Sequence, residues 1–163
     1  VESEHKCDLN LNVVLEDRIS YIIYKLAANR SGVTKIEIGA LFGAIGMERL
    51  NFLLGEKILL ETEGMIHASE KNFNLDLKVM SKHLPELVKY YSPDQVNRGL
   101  NVLYNLSESI NEDGIKKIKE ITREAAKSIY RVMNSPYYEG EIPFFSLLLG
   151  DTLSVNTECG GIQ

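Results

Sequence analysis

The sequence predicts an α+β fold: a helical N-terminal part closed by a β-hairpin, then a C-terminal part in which a long helix is flanked by short strands. Three observations carry this reading. Apolar residues recur at spacings of three and four over residues 15–30, 34–57 and 111–133, the period of an amphipathic helix. A glycine divides two short β-prone runs between Ile58 and Ala68, as a tight hairpin requires. Two further short runs rich in Leu, Val and aromatics, 100–107 and 142–150, bracket the last helix and read as strands.

In "LEDRISYIIYKLAANR", Leu15, Ile19, Ile22, Ile23 and Leu26 line one face of a helix that "NRSGV" stops. Thr34 then caps a second helix, with Glu37 three residues on completing a capping box, and Ile38, Leu41 and Phe42 supply its buried face. "GAIG" is the turn into a third helix, in which Leu50, Leu53 and Leu54 form the apolar stripe. In "ILLETEGMIHAS", Gly64 supplies the positive φ that a hairpin turn needs.

Beyond a polar passage, the segment from about Leu77 to Tyr91 puts Val79 or Met80, Leu84, Leu87, Val88 and Tyr91 on one side, and Pro85 confines the helix proper to a start near Lys82 or His83, because proline is accepted only in a first turn. "SPDQVNRG" is a break. From Asn111 to Met133, Ile115, Ile118, Thr122, Ala125, Ile129 and Val132 keep a three-four alternation, with Glu112 and Asp113 at the start and Lys127 and Arg131 toward the end, matching the helix dipole. The expected organisation is a disordered tail over 1–11, a first subdomain over 12–71, a second over 72–152, and a mobile tail over 153–163.

The order helix, capped helix, turn, helix, hairpin in residues 15–69 resembles the winged helix-turn-helix. With "SKHLPELVKYY", "NRGLNVLYNLSES", "GIKKIKEITREAAKSIYRVM" and "IPFFSLLL" behind it, the chain also resembles a domain of unknown function. That domain forms the C-terminal half of bacterial transcription regulators whose N-terminal half is a Cro/C1-type helix-turn-helix. In that family a histidine opens a helix after the winged subdomain and an arginine precedes a strand, positions that His83 and Arg98 match. The family's last strand commonly closes on Phe-Pro, whereas here the run ends "LLLGDT". The resemblance implies a regulatory part that forms a homodimer or meets a partner protein; the wing strand or "FFSLLL" is the candidate surface, and the cysteine usage fits the cytoplasm. DNA would be read by an N-terminal domain outside this chain, which begins at Val1 and reads as a piece of a longer protein.

Charge bears on which task the winged part performs. The chain carries 18 Lys+Arg against 23 Asp+Glu, a net charge of −5, so a global attraction to the phosphate backbone is missing. Between Ser31 and Lys71 the cations Lys35, Arg49, Lys57 and Lys71 are outnumbered by Glu37, Glu48, Glu56, Glu61, Glu63 and Glu70. Direct DNA binding would fall to Lys35, Arg49, Asn51 and Lys57, with Arg49 and Asn51 as the side chains suited to base edges; ordinary solvated helix positions are the plainer reading of both. His83, as a residue near neutral pKa, is a structural or sensor position, with Arg98 beside it on the strength of the resemblance. The long helix has a small excess of cations, an acidic-partner face or simply a solvated one.

Hydrophobic residues make up 44% and charged residues 25%, a globular composition. No uninterrupted apolar run reaches the roughly 18–20 residues that span a bilayer, and "VESEHKCDLN" lacks a signal-peptide core, so no membrane association is expected. Cys7 and Cys159 make no disulfide framework, consistent with a reducing compartment. "EHKCD" holds His5 and Cys7 near two acids but lacks a second ligand pair, and no catalytic fingerprint is present. The expectation is a non-enzyme with no metal or cofactor. Tyr90, Tyr91, Tyr104, Tyr130, Tyr137, Tyr138, Phe144 and Phe145 are read as core, or alternatively as the lining of a small-molecule or peptide sensor pocket.

Overall fold

The computed structural model describes residues 11–70 and 76–153. The tails expected over 1–11 and 153–163, with Cys7, Cys159 and "EHKCD", lie outside the described residues apart from Leu11 and Leu153. The chain is α+β. Its elements are α1 (Arg18–Ala27), α2 (Lys35–Gly55), β1 (Leu59–Thr62), β2 (Met65–Ala68), α3 (Leu77–Val88), a 3-10 turn at Pro93–Arg98, α4 (Glu112–Asn134) and a 3-10 turn at Pro136–Tyr138. They fall into two compact units, Val1–Ser107 with Gly140–Pro143, and Glu108–Glu139 with Phe144–Gln163.

In the first unit α1 is nearly all interior: Tyr21, Ile22, Ile23, Tyr24 and Ala27 are buried, so the helix forms because α2, β2 and α3 all pack on it. Asp17 caps it by accepting from Ser20 N–H. α2 opens on the expected capping box, with Thr34 accepting from Glu37 N–H while the Glu37 carboxylate receives Thr34 N–H. Gly43 (φ 60°, ψ −145°) breaks the helical path in a conformation open to glycine alone. The break turns the second half so that Ile38 before it and Leu50 and Leu53 after it are all 0% exposed. By length and composition α2 reaches the threshold for crossing a bilayer; the kink divides it into shorter pieces, each anchored in this core.

α2 ends where Lys57 takes φ 59° and Ile58 N–H returns to Leu53 O at 3.0 Å, a left-handed cap that turns the chain into β1. β1 and β2 pair antiparallel, Leu59 opposite Ala68 and Thr62 opposite Met65. Glu63 (φ 53°) and Gly64 (φ 79°) between them both have positive φ, the tight turn expected of this hairpin. Val33 and Ile66 exchange backbone hydrogen bonds of 3.0 and 2.8 Å, fastening the loop before α2 to the hairpin. Gly32 must be glycine there, since a Cβ would stand 2.7 Å from both Ile66 O and His67 Nε2.

Two expectations are corrected. α3 begins at Leu77, not near His83, and carries Pro85 inside it. Asp76 caps its first turn by accepting from Lys78 N–H, and burial of Val79, His83 and Leu87 within the first unit outweighs the backbone hydrogen bond that Pro85 removes. The strands expected over 100–107 and 142–150 are absent: among the described residues the only sheet is β1–β2. Leu103, Tyr104 and Leu106 are exposed, as are Leu147 and Leu149. A strand exists only with a neighbour to receive its N–H and C=O groups, and neither segment has one.

Candidate functional site

The helix that would read a groove is the half of α2 after Gly43. Its outward positions are Ile45, 60% exposed, Phe52, 41% exposed, and the exposed Glu48, Asn51 and Glu56. Spacings of three and four put Ile45, Glu48, Phe52 and Glu56 on one face, apolar and acidic. Ile36 and Leu41, also exposed, extend the apolar surface before the kink.

Arg49, the one cation in this half of the helix, points elsewhere. Its Nε donates to Ser20 Oγ at 2.8 Å and lies 3.3 Å from Asp17 Oδ2, while its guanidinium covers the Phe52 ring at 4.8 Å from the centroid, a cation–π contact. Ser20 is fully buried. Burial alone would raise the Asp17 carboxyl, but hydrogen bonds from Ser20, then the charges of Arg49 and His83, hold it below its ordinary value. Arg49 is thus a brace between the second half of α2 and the start of α1, and the sequence-based expectation that it is suited to base edges is corrected. The signal that finds this role is Ser20, a hydroxyl in the middle of an apolar helix face.

The other expected DNA contacts are scattered. Lys35 Nζ pairs with Glu61 Oε2 on β1 at 2.7 Å. Lys57 is exposed and forms the left-handed cap of α2. Asn51 alone combines an exposed side chain with a position on the outward half of the helix.

His83 lies inside α3 at 2% exposure. Its ring stacks on Tyr21, centroids 4.3 Å apart, and Nε2 is 2.7 Å from Leu15 O; because a carbonyl only accepts, Nε2 carries the proton. The residue ties α3 to the turn before α1, where no solvent reaches it. Arg98 is exposed at the end of the Pro93–Arg98 turn, 3.3 Å from Gln95 Oε1, and precedes no strand. The hydrogen bonds of His83 and Arg98 go to separate partners, Leu15 O and Gln95 Oε1.

Of the second-half aromatics expected to form a core or line a pocket, only Tyr91 and Phe145 are partly covered. Tyr104, Tyr137 and Tyr138 are more than half exposed, and so are Tyr130 and Phe144. The aromatics that build the core are Tyr21 and Tyr24; Tyr24 donates its hydroxyl to Glu70 O at 2.6 Å, and burial, then the Glu70 charge, pushes its pKa up to about 12. An open apolar groove of about 330 Å³ is lined by Leu26, Val33, Ala40, Leu41 and Pro143, and a cleft of about 100 Å³ lies beside Tyr24, Lys57 and Ile58. Among the described residues no three metal-ligating side chains converge.

On α4 the charges sit in short-range pairs: Lys116 with Asp113, Lys117 with Glu120 and Lys127 with Glu124. None of its residues is buried. No family model, curated protein or solved structure matches the chain.

Proposed function

We propose that this chain is the regulatory and dimerisation part of a bacterial transcription regulator, in which a winged helix-turn-helix unit serves as a scaffold for protein contact and DNA is read by a separate Cro/C1-type domain. The observation that carries this reading is the outward face of α2 after Gly43. A groove reader presents Arg, Lys, Asn or Gln there and draws its general affinity from phosphate contacts. Apart from Asn51, this helix presents Ile45, Glu48, Phe52 and Glu56, and its arginine is held by Ser20 and Asp17 against the Phe52 ring. Exposed aliphatic and aromatic side chains beside carboxylates suit a protein surface better than a polyanion.

Fluorescence anisotropy against mixed-sequence duplex DNA, at about 50 and about 200 mM salt, tests it. Micromolar chain should leave the duplex free at both concentrations. Tight binding that collapses as salt rises, and that Asn51→Ala and Lys57→Ala weaken, would overturn the proposal in favour of direct DNA recognition.

A further inference from the structure

We infer that α4 pairs with α4 of a second copy of this chain, antiparallel, through a seam of Ile115, Ile118, Thr122, Ala125, Ile129 and Val132. This deepens the dimerisation reading above and rests on it. The seam residues alternate at spacings of three and four, the a and d positions of a heptad pattern. Ile118 and Val132 are each 50% exposed, and no residue of the 23-residue helix is buried. Isolated helices gain their stability mainly by covering such a face.

The choice of occupant follows from the order of side-chain sizes. Read from either end, the seam runs two large β-branched residues, two smaller ones, two large β-branched ones. In an antiparallel pair Ile115 meets Val132, Ile118 meets Ile129 and Thr122 meets Ala125, and each layer occurs twice, as a twofold interface demands. A partner of unrelated sequence would place no such symmetry on this helix.

Charge points the same way. Lys116, Lys117 and Lys127 lie off the seam, each in an exposed pair within the helix, and leave the seam itself apolar. The charged residues that flank the seam, Glu112 and Lys119, face Met133 and Ala126 of the second copy in this register. Glu112 and Asp113 in the first turn come alongside the second copy's last turn, which carries Arg131, and the two helix dipoles oppose. A parallel pair would instead set the two acidic turns side by side.

Sedimentation equilibrium of the full chain, with Ile118→Glu and Ile129→Lys variants, tests the inference. The unaltered chain should sediment at twice its 18.4 kDa. Each variant alone should weaken association by about tenfold or more, since it buries an unpaired charge, and an equal mixture of the two should recover a dimer because layer 118–129 then joins Glu to Lys. Ile118 is half exposed and Ile129 partly covered in the single chain, and an unchanged far-UV spectrum and melting point confirm that the variants fold. A dimer untouched by either variant would overturn the seam while leaving dimerisation standing. Recovery by mixing Ile118→Glu with Ile118→Lys, and not with Ile129→Lys, would overturn the antiparallel register. An unaltered chain that stays monomeric at about 100 μM, where a micromolar dimer is nearly saturated, would overturn the dimerisation reading itself.

Discussion

Replacing Gly43 by alanine isolates the bend in α2 from every other feature of the fold. At φ 60° and ψ −145° an L-residue is strained by about 1–3 kcal/mol. Nothing lies within 4 Å of where the new Cβ would stand, so no clash contributes. Alanine also restricts the unfolded chain, which returns about 0.4–1 kcal/mol. The net expectation is a loss of about 1–2 kcal/mol. Gly39 is the matched control: it sits in the regular first half of the same helix, and its added Cβ would meet only Met47 Sδ at 3.9 Å. Gly39→Ala should therefore stabilise by about 0.5–1 kcal/mol.

Urea unfolding at 25 °C, with midpoint and slope measured for both variants, gives the comparison. The two substitutions should move the midpoint in opposite directions, separated by about 2 kcal/mol. If Gly43→Ala stabilises as much as Gly39→Ala with an unchanged slope, α2 runs straight through position 43. The placement of Leu50 and Leu53 opposite Ile38 would then be wrong, and with it the direction assigned to Ile45 and Phe52.

His83→Ala should cost about 2–4 kcal/mol in the same assay, because it empties a buried site and orphans the Leu15 carbonyl. His83→Phe keeps the ring against Tyr21 and should lose about 1–3 kcal/mol for the carbonyl alone; a His83→Phe variant as stable as the parent would mean that the hydrogen bond contributes little. Asp17 gives a pH signature. Its folded-state pKa lies below the ordinary 3.8, so the stabilisation is present above that value and is lost as pH falls through the folded-state value. Asp17→Asn should thus be less stable than the parent above about pH 5, by under about 1 kcal/mol for a side chain 42% exposed, with the gap closing in more acidic urea titrations. A gap that stays undiminished however far the titration is carried into acid would show that the charge is irrelevant.

Some local chemistry was legible in the sequence because its deciding partners lie within one turn. Thr34 and Glu37 cap α2 and Gly64 turns the hairpin, each a contact over three residues or fewer, whereas the Asp76 cap of α3, equally local, was hidden behind Pro85. Pro85 misled because proline reports only what its own turn loses, while the burial that offsets it comes from Leu15 and Tyr21, distant in the chain. The runs 100–107 and 142–150 have strand composition, but composition supplies no ladder partner. Arg49 was legible as a cation on a helix; its direction was set by Ser20, 29 residues earlier, and no periodicity within α2 encodes that.

How firmly each cation is held decides the argument about α2. Lys35 and Glu61 are both partly solvated, at 46% and 33% side-chain exposure, and an ion pair of that kind is worth about 0–1 kcal/mol. A phosphate could displace it, so Lys35 by itself argues neither way. Arg49 differs in kind. Its Nε is hydrogen-bonded to a hydroxyl on a fully buried residue, a charged-group bond worth about 1.5–3 kcal/mol, and swinging it outward would also uncover Phe52 and leave Asp17 without its counter-charge. An outward contact to a single phosphate, made in water against neighbouring Glu48, does not recover that much. What then faces outward from the second half of α2 is one amide, Asn51, between Glu48 and Glu56, and an uncharged side chain releases no counterions from the backbone of a duplex.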